Sequence, residues 1–181
     1  MKSSNQKSSN LQITRIGVIG AESTGKSTLC RLLSERYGYR WIKEYARTYV
    51  ENLTRPYIWD DVLHIARQQI SELHASYNEP VVLYDTDLIV TKVWMQHVYG
   101  RVAPEVQRAI QEQPMDLYLI LTPDIAAQPD PVRENLDKRE YFFDWYIREV
   151  QQTKRPYYLI SGEGEARIQA AAEAITNYTE Q

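Results

Sequence analysis

The sequence predicts an α/β fold in which a parallel β-sheet lies between two layers of helices. Short, continuously apolar runs alternate along the chain with longer segments whose apolar residues recur at helical spacing. Continuous apolar runs are typical of strands that are covered on both faces, as they are in parallel sheets. Polar residues follow several of these runs, at the sheet edge where such folds bind their ligands. We therefore expect a three-layer domain whose functional residues lie beyond the carboxyl ends of the strands.

Five apolar runs are predicted to form the strands of this sheet. They lie at residues 16–19, 40–43, 81–84, 117–121 and 157–160. Helical patterns separate the runs and occupy residues 26–37, 59–77, 88–98, 139–152 and 166–178, with a further helix that begins at Pro104. Gly38 is expected to end the first helix. Residues 122–138 are rich in Pro, Asp and Asn, which predicts a loop.

Length and composition indicate one globular domain. The chain has 181 residues, and we expect residues 1–10 to form a disordered tail and residues 11–181 to form a single domain. The net charge of −3 argues against binding nucleic acid through bulk positive charge. No apolar run approaches the ~18 residues of a membrane span. A single cysteine, Cys30, fits a reducing compartment, so we expect a cytoplasmic protein with neither nucleic-acid nor membrane partners.

A phosphate-binding motif follows the first predicted strand. Residues 20–27, Gly-Ala-Glu-Ser-Thr-Gly-Lys-Ser, match the P-loop pattern G-x-x-x-x-G-K-[ST] between a strand and a helix. The curled backbone directs N–H groups at a phosphate, and the positive end of the next helix faces the same point. The predicted nucleotide-binding residues are Gly20, Ala21, Glu22, Ser23, Thr24, Gly25, Lys26, Ser27 and Thr28. Lys26 would bind the β- and γ-phosphates, and the Ser27 hydroxyl would ligate Mg²⁺.

Two acidic residues follow the third predicted strand. Asp85 closes the run 81–84 in a Walker B arrangement, so we expect its carboxylate to bind Mg²⁺ together with Ser27. Asp87 could present a second carboxylate to the substrate. The alternative is that Asp87 caps the helix that begins at Leu88.

The motifs favour a small-molecule kinase among P-loop proteins. The chain is too short for a helicase pair or a large AAA+ lid domain, and it has no N-K-x-D motif for guanine. A kinase needs a group that faces the acceptor hydroxyl, and Glu44 and Arg47 follow the second strand; their alternative is a surface ion pair. It also needs a mobile cationic lid, and Arg133 and Arg139 could both reach one phosphoryl group. The alternative for those arginines is a solvated loop.

An acceptor pocket is predicted between the second strand, the third helix and the lid. Gln68 lies opposite the apolar face of its helix, where its amide could bond a ring substituent. Tyr45 and Tyr49 lie four residues apart and could flank a planar ring. The alternative is that Gln68 is solvated and both tyrosines pack between helices. Either Glu44 or Asp85 would take the proton of the acceptor hydroxyl.

The chain resembles the ribosylnicotinamide kinase domain of NadR-type proteins. The matching elements are the P-loop, Glu44-Tyr45-Ala46-Arg47, Gln68, Asp85-Thr86-Asp87, and Asp124 with Asp130-Pro131-Val132-Arg133. The resemblance implies ATP- and Mg²⁺-dependent phosphorylation of the 5′-hydroxyl of nicotinamide riboside or a similar nucleoside. It also implies a nucleoside-kinase-like P-loop fold with a five-stranded sheet and a short lid. The catalytic residues would be Lys26, Glu44, Asp85, Arg133 and Arg139. The alternative function is a nucleotide-dependent binding or regulatory module without kinase activity.

Overall fold

A five-stranded parallel sheet forms the centre of the molecule. The structure, a computed structural model, describes residues 13–112, 115–127 and 135–180. The strands are β1 (Thr14–Gly20), β2 (Arg40–Ile42), β3 (Val81–Asp85), β4 (Leu117–Leu121) and β5 (Tyr157–Ile160). They lie in the order β2-β3-β1-β4-β5, and every neighbouring pair is parallel. The predicted fold class is thereby confirmed.

Helices connect successive strands and cover both faces of the sheet. They are α1 (Lys26–Tyr37), α2 (Tyr45–Glu51), α3 (Trp59–His74), α4 (Leu88–Tyr99), α5 (Pro104–Glu112), α6 (Arg139–Thr153) and α7 (Gly164–Thr179). α3 ends three residues before the predicted Tyr77, because Ala75 has an extended backbone with ψ 149°. A short 3₁₀ helix, Leu136–Lys138, lies inside the segment that was predicted to be a loop.

The core consists of two layers of side chains, one on each face of the sheet. On β1 the side chains alternate, as the period of a strand requires. Ile16 and Val18 pack in the layer that contains residues of α1 and α7, whereas Ile19 packs in the layer that contains residues of α3, α4 and α6. All three side chains are fully buried. The three-layer arrangement follows directly from this alternation.

The strand order places the ligand-binding edge at β1. From β1 the chain crosses to β2 on one side, and after β3 it crosses over β1 to β4 on the other. Connections that leave a strand in opposite directions open a crevice at its carboxyl end. None of the helices in the described ranges is long and apolar enough to span a membrane. The predicted tail at residues 1–10 and the predicted lid residue Arg133 lie outside the described residues.

Candidate functional site

The P-loop curls because three of its residues have a positive φ. These are Gly20 (155°), Ser23 (58°) and Gly25 (81°). At Gly20 a side chain is also excluded by space, since a Cβ there would lie 2.9 Å from both the Leu121 carbonyl oxygen and Thr24 Oγ1. Gly25 occupies the N-cap of α1 in the left-handed conformation. The N-terminal end of α1 therefore opens directly from the loop.

Lys26 lies folded over the P-loop. Its Nζ donates hydrogen bonds to the carbonyl oxygens of Gly20 and Ala21, both at 3.0 Å. Thr24 Oγ1 also donates to the Ala21 carbonyl, at 2.9 Å. The ammonium thus lies at the mouth of the loop, where it can exchange these carbonyl oxygens for phosphate oxygens.

One cavity of about 640 Å³ extends from the P-loop to a group of aromatic side chains. Its phosphate end is lined by Gly20, Glu22, Ser23, Thr24, Gly25, Lys26, Ser27 and Thr28. The remaining lining residues are Glu44, Ala46, Arg47, Val50, Arg55, Pro56, Tyr57, Thr86, Val90, Thr91, Trp94, His97, Asn135, Phe142 and Tyr146. Ala21 is the predicted nucleotide-binding residue that does not line the cavity; its side chain packs in the core. The P-loop and the predicted acceptor residues Glu44 and Arg47 therefore face one space.

Asp85 is buried at the end of β3, with 2% of its surface exposed. Among the described residues, neither carboxylate oxygen has a hydrogen-bond partner. Burial raises the pKa of Asp85, while nearby Ser27 and Lys26 oppose the rise. A buried carboxylate without a partner is costly, so this position fits a cation.

The donor set suits Mg²⁺ rather than a metal held by protein ligands alone. Within residues 13–112, 115–127 and 135–180, no three metal-binding side chains of His, Cys, Asp or Glu form a cluster. Mg²⁺ at phosphoryl-transfer sites takes one or two protein ligands and completes its shell with phosphates and water. The unpartnered Asp85 and the exposed Ser27 hydroxyl beside it match that requirement.

Asp87 caps a helix. Its Oδ1 accepts a hydrogen bond from the Ile89 backbone N–H at 2.9 Å, at the start of α4. The carboxyl is 4% exposed and is absent from the cavity lining. Burial raises its pKa to about 7. The structure thus places Asp87 in the capping alternative and not among the substrate-binding residues.

Glu44 and Arg47 line the acceptor end of the cavity. Glu44 is the N-cap of α2, two residues after β2 ends, so the strand sets its position at the sheet edge. Arg47 Nε donates to Glu51 Oε1 at 2.8 Å. Burial raises the pKa of Tyr146, and the carboxylates of Glu22 and Glu44 add to the rise. Glu44 is thus close to the aromatic wall as well as to Arg47.

The structure places three predicted acceptor residues elsewhere. Gln68 Nε2 donates to Glu72 Oε1 at 3.1 Å on the surface of α3. Tyr45 and Tyr49 pack against His64, with ring centroids 6.0 and 5.0 Å from the imidazole. None of the three lines the cavity. The tyrosines pack between α2 and α3 because this face of α2 lies against α3, as the alternative proposed.

Gln69, the next residue along α3, does not line the cavity either, but it bonds two threonines that do. It is buried, its Oε1 accepts from Thr91 Oγ1 at 2.7 Å, and its Nε2 donates to the Thr86 carbonyl at 3.4 Å. One residue turns a helix by about 100°, so the neighbouring amides point in different directions. The sequence feature that could have indicated the buried position of Gln69 is its spacing of four residues from Ile65, which lies on the buried face of α3.

The aromatic wall of the cavity was not located from the sequence. Tyr57 and Trp94 meet edge to face with centroids 4.9 Å apart, and Trp94 Nε1 donates to the Tyr57 hydroxyl at 3.2 Å. Phe142 and Tyr146, both buried, contribute from α6. The 14 tyrosines and 4 tryptophans against 2 phenylalanines indicated such a wall without showing which residues form it.

Arg55 brings a second cation to the acceptor end. Asp61 Oδ2 and Oδ1 accept from its Nη1 and Nη2 at 2.6 and 3.0 Å. Asp61 also accepts from the Ile58 backbone N–H at 2.8 Å. Arg55 and this backbone bond hold the pKa of the Asp61 carboxyl well below its usual range. The segment before α3 is thereby fixed with Arg55 at the cavity.

Thr86 lines the cavity in a strained conformation. Its φ is 71°, which a β-branched residue rarely adopts. Its N–H donates to the Val18 carbonyl at 3.1 Å, and its buried hydroxyl has no hydrogen-bond partner in the described part of the chain. Thr86 therefore brings a buried, unpartnered hydroxyl to the wall of the cavity.

Arg139 bonds the backbone beside the cavity. Its Nη1 donates to the Ile125 carbonyl at 2.9 Å, and its Nη2 donates to the Ser23 carbonyl at 3.2 Å. It does not line the cavity. The structure thus shows Arg139 bonded to the P-loop backbone, whereas the prediction placed its guanidinium on a phosphoryl group.

Comparison with known sequences gives a family and two homologues. A family model described as AAA domain matches residues 15–167. Over 138 residues the chain is 28% identical to the trifunctional NAD biosynthesis/regulator protein NadR of Escherichia coli (strain K12) and 27% identical to that of Salmonella typhimurium. These matches cover 71% of this chain and 34% of each relative, so the chain spans about a third of their length.

Comparison with solved structures gives NadR again and a nucleoside kinase fold. NadR in complex with NR matches with a TM-score of 0.80 and 25% identity, covering 94% of this chain and 52% of that chain. NadR in complex with NAD and AMP-PNP matches with a TM-score of 0.76 and 25% identity, covering 94% and 50%. Deoxyadenosine kinase from M. mycoides with bound dATP shares the fold, with a TM-score of 0.64 and 14% identity, covering 90% and 99%. The chain therefore belongs to this AAA-domain family of P-loop proteins, is homologous to NadR, and has the fold of P-loop nucleoside kinases.

Proposed function

We propose that this protein is a small-molecule kinase that transfers the γ-phosphoryl group of ATP to the 5′-hydroxyl of nicotinamide riboside or a similar nucleoside. One observation carries the proposal: a single cavity joins the P-loop to an end that presents a carboxylate, two arginines and an aromatic wall. Homology to NadR, which has been solved with NR and with AMP-PNP, supports both substrates.

The phosphate end would neutralise the charge of the transferred group. Phosphoryl transfer depends on positioning and electrostatic stabilisation rather than on covalent chemistry from the protein. The Lys26 ammonium and the N-terminal end of α1 supply positive charge at the loop. Ser27 and Asp85 would hold Mg²⁺, which, when bound, screens the β- and γ-phosphate oxygens.

Glu44 is the proposed group that accepts the proton of the acceptor hydroxyl. It lines the cavity, whereas the alternative base, Asp85, does not. The acceptor oxygen forms a bond to the γ-phosphorus as the bond to the β-phosphate oxygen breaks, which releases ADP. The proton passes to the Glu44 carboxylate. Tyr57, Trp94 and Tyr146 would hold a planar ring by stacking.

The experiment is an ADP-release assay with ATP, Mg²⁺ and a panel of nucleosides that includes nicotinamide riboside, with the product identified by mass. We expect one riboside to be strongly preferred. Glu44→Gln should lower kcat by about 10²–10⁴ with little change in acceptor KM. Glu35→Gln removes an exposed carboxylate that pairs with Arg31 on α1 and serves as the control. ATP binding without phosphorylation of any nucleoside would reject the kinase and favour a nucleotide-dependent binding module.

A further inference from the structure

Two arginines bond consecutive carbonyl groups of the P-loop. Arg139, at the start of α6, donates from Nη2 to the Ser23 carbonyl at 3.2 Å. Arg167, on α7, donates from Nη1 to the Thr24 carbonyl at 2.6 Å. Neither arginine lines the cavity. Both guanidinium groups therefore hold the loop backbone without lining the cavity.

Because each peptide group is planar, these contacts also fix the direction of the neighbouring N–H groups of the loop. Every peptide bond in the described part of the chain is trans. In a planar trans peptide the N–H points opposite to the C=O. The Ser23 carbonyl points towards Arg139, so the Thr24 N–H in the same peptide points away from Arg139. In the same way, the Thr24 carbonyl points towards Arg167, so the Gly25 N–H points away from Arg167. These are amides of the loop that lines the cavity.

Arg167 also fastens the loop to two other segments at the same sheet edge. Its Nε donates to the Gly162 carbonyl at 2.6 Å, and its Nη2 donates to the Thr122 carbonyl at 3.2 Å and to the Asp124 carboxylate. Asp124 Oδ2 in turn accepts from the Gly162 N–H at 2.7 Å. The side chain is only 5% exposed. One guanidinium thus joins the P-loop, the end of β4 and the turn after β5.

We propose that Arg167, assisted by Arg139, is a positioning residue that aims the Thr24 and Gly25 amides at the phosphates of the nucleotide. None of the three carbonyl groups that Arg167 bonds belongs to α7, so these contacts do more than anchor that helix. The planar guanidinium places rigid donors on all three carbonyl groups at once. A lysine carries the same charge on one flexible nitrogen and cannot hold all three. The inference rests on the proposed function only in that the loop binds phosphates. It concerns any ligand with a phosphate chain, whatever its base or its acceptor.

The test compares the dissociation constants of ATP and of inorganic tripolyphosphate, which has the phosphates without the base. Both are measured by calorimetry with Mg²⁺, well below the melting temperature, so that a change in stability alone leaves them unchanged. We expect Arg167→Lys to weaken both ligands by the same factor, about tenfold or more, which corresponds to one charge-assisted hydrogen bond. The control is Arg36→Lys, since the exposed Arg36 also holds α7, through Glu165, but lies away from the loop.

Two results would overturn the inference. Weaker binding of ATP alone would mean that Arg167 acts on the base through the turn after β5. Unchanged binding of both ligands would make Arg167 a structural tie of α7. Should Arg167→Lys fail to fold, Arg139→Lys applies the same comparison to the Ser23 carbonyl, and an equal loss for both ligands is again required. A wild-type protein that binds both ligands but phosphorylates no nucleoside rejects the proposed function and leaves this inference standing.

Discussion

The two ends of the cavity are built in different ways. The phosphate end is one continuous segment, residues 20–28, which runs from the end of β1 into the first turn of α1. The acceptor end combines side chains from α2, the segment before α3, α4 and α6, which are up to about a hundred residues apart in the chain. A site made of contiguous backbone is defined by residue spacing. A site made of converging side chains depends on helix rotation and packing, which spacing alone does not fix.

This contrast predicts that damage at the phosphate end affects every acceptor equally, whereas damage at the acceptor end changes selectivity. Lys26→Ala should lower kcat for all acceptors by about 10²–10³ or more, because it removes a cation from the developing charge. The measurement is the turnover rate over the nucleoside panel. Lys43→Ala, at an exposed lysine that lies over Trp41, is the control. A loss confined to one nucleoside would show that the two ends are not independent.

Asp87 is a contrasting case, since it lies between β3 and α4, two residues after Asp85, yet is expected to serve only the fold. Its pKa of about 7 in the folded state exceeds that of an unfolded Asp, near 3.9. The folded state therefore holds a proton that the unfolded chain has lost, and stability falls as pH rises from about 4 to 7.

Asp87→Asn keeps a capping oxygen and removes this titration. The free energy of unfolding of the variant, relative to wild type, should rise by an amount on the order of 3 kcal/mol between pH 4 and pH 8. Denaturant titrations at several pH values measure the difference. A pH-independent difference, or loss of kinase activity in Asp87→Asn, would return Asp87 to the site.

Asp85, unlike Asp87, should affect the dependence of activity on Mg²⁺ as well as the stability of the fold. Asp85→Asn removes a buried charge that lacks a partner, so the protein without Mg²⁺ should melt at a higher temperature. The Mg²⁺ concentration for half-maximal activity should rise by about tenfold or more, because a neutral amide attracts a hard cation weakly. Melting curves and Mg²⁺ titrations test the two halves separately. Unchanged Mg²⁺ dependence would remove Asp85 from the metal site.

Substitutions of the two neighbouring glutamines of α3 should have the smallest effect on activity. They also form a matched pair, because only Gln69 bonds residues that line the cavity. Gln69→Leu leaves the Thr91 hydroxyl and the Thr86 carbonyl without this partner, at a cost of about 1–3 kcal/mol in unfolding free energy. The acceptor KM should rise while the KM for ATP stays constant. Gln68→Leu breaks only the contact with Glu72 and should alter neither KM. The reverse pattern would restore Gln68 as the acceptor residue.

Most of the fold was predictable because its signals are local. The run Leu117–Leu121 became β4 with the predicted bounds, and α1 begins at Lys26 and ends before Gly38 as its sequence indicates. α3 stops early because Ala75 is extended, although the residue itself favours helices. A helix end that is set by tertiary structure cannot be predicted from the spacing of apolar residues.

The site was predictable only in part, because residue spacing defines the phosphate end but not the side chains that converge at the acceptor end. The P-loop pattern placed its backbone at the cavity, but it gave no sign that Arg167, far along the chain, holds that backbone. Near the acceptor end, Gln69 and not Gln68 bonds two residues of the cavity wall, and this difference of one position corresponds to the turn of a helix around its axis. Tyr57 and Trp94 meet only because α4 packs beside α3.

Thr86 has a consequence for engineering this protein. A left-handed threonine costs on the order of 1–3 kcal/mol. The fold sustains it because Val18 bonds its N–H and Gln69 bonds its carbonyl, which fixes the two peptide groups that flank it. A design procedure that seeks thermal stability would replace it with glycine, which adopts this φ without strain. That substitution would also remove the buried, unpartnered hydroxyl of a residue that lines the cavity. Stabilisation of this scaffold is therefore better sought at exposed positions far from the end of β3.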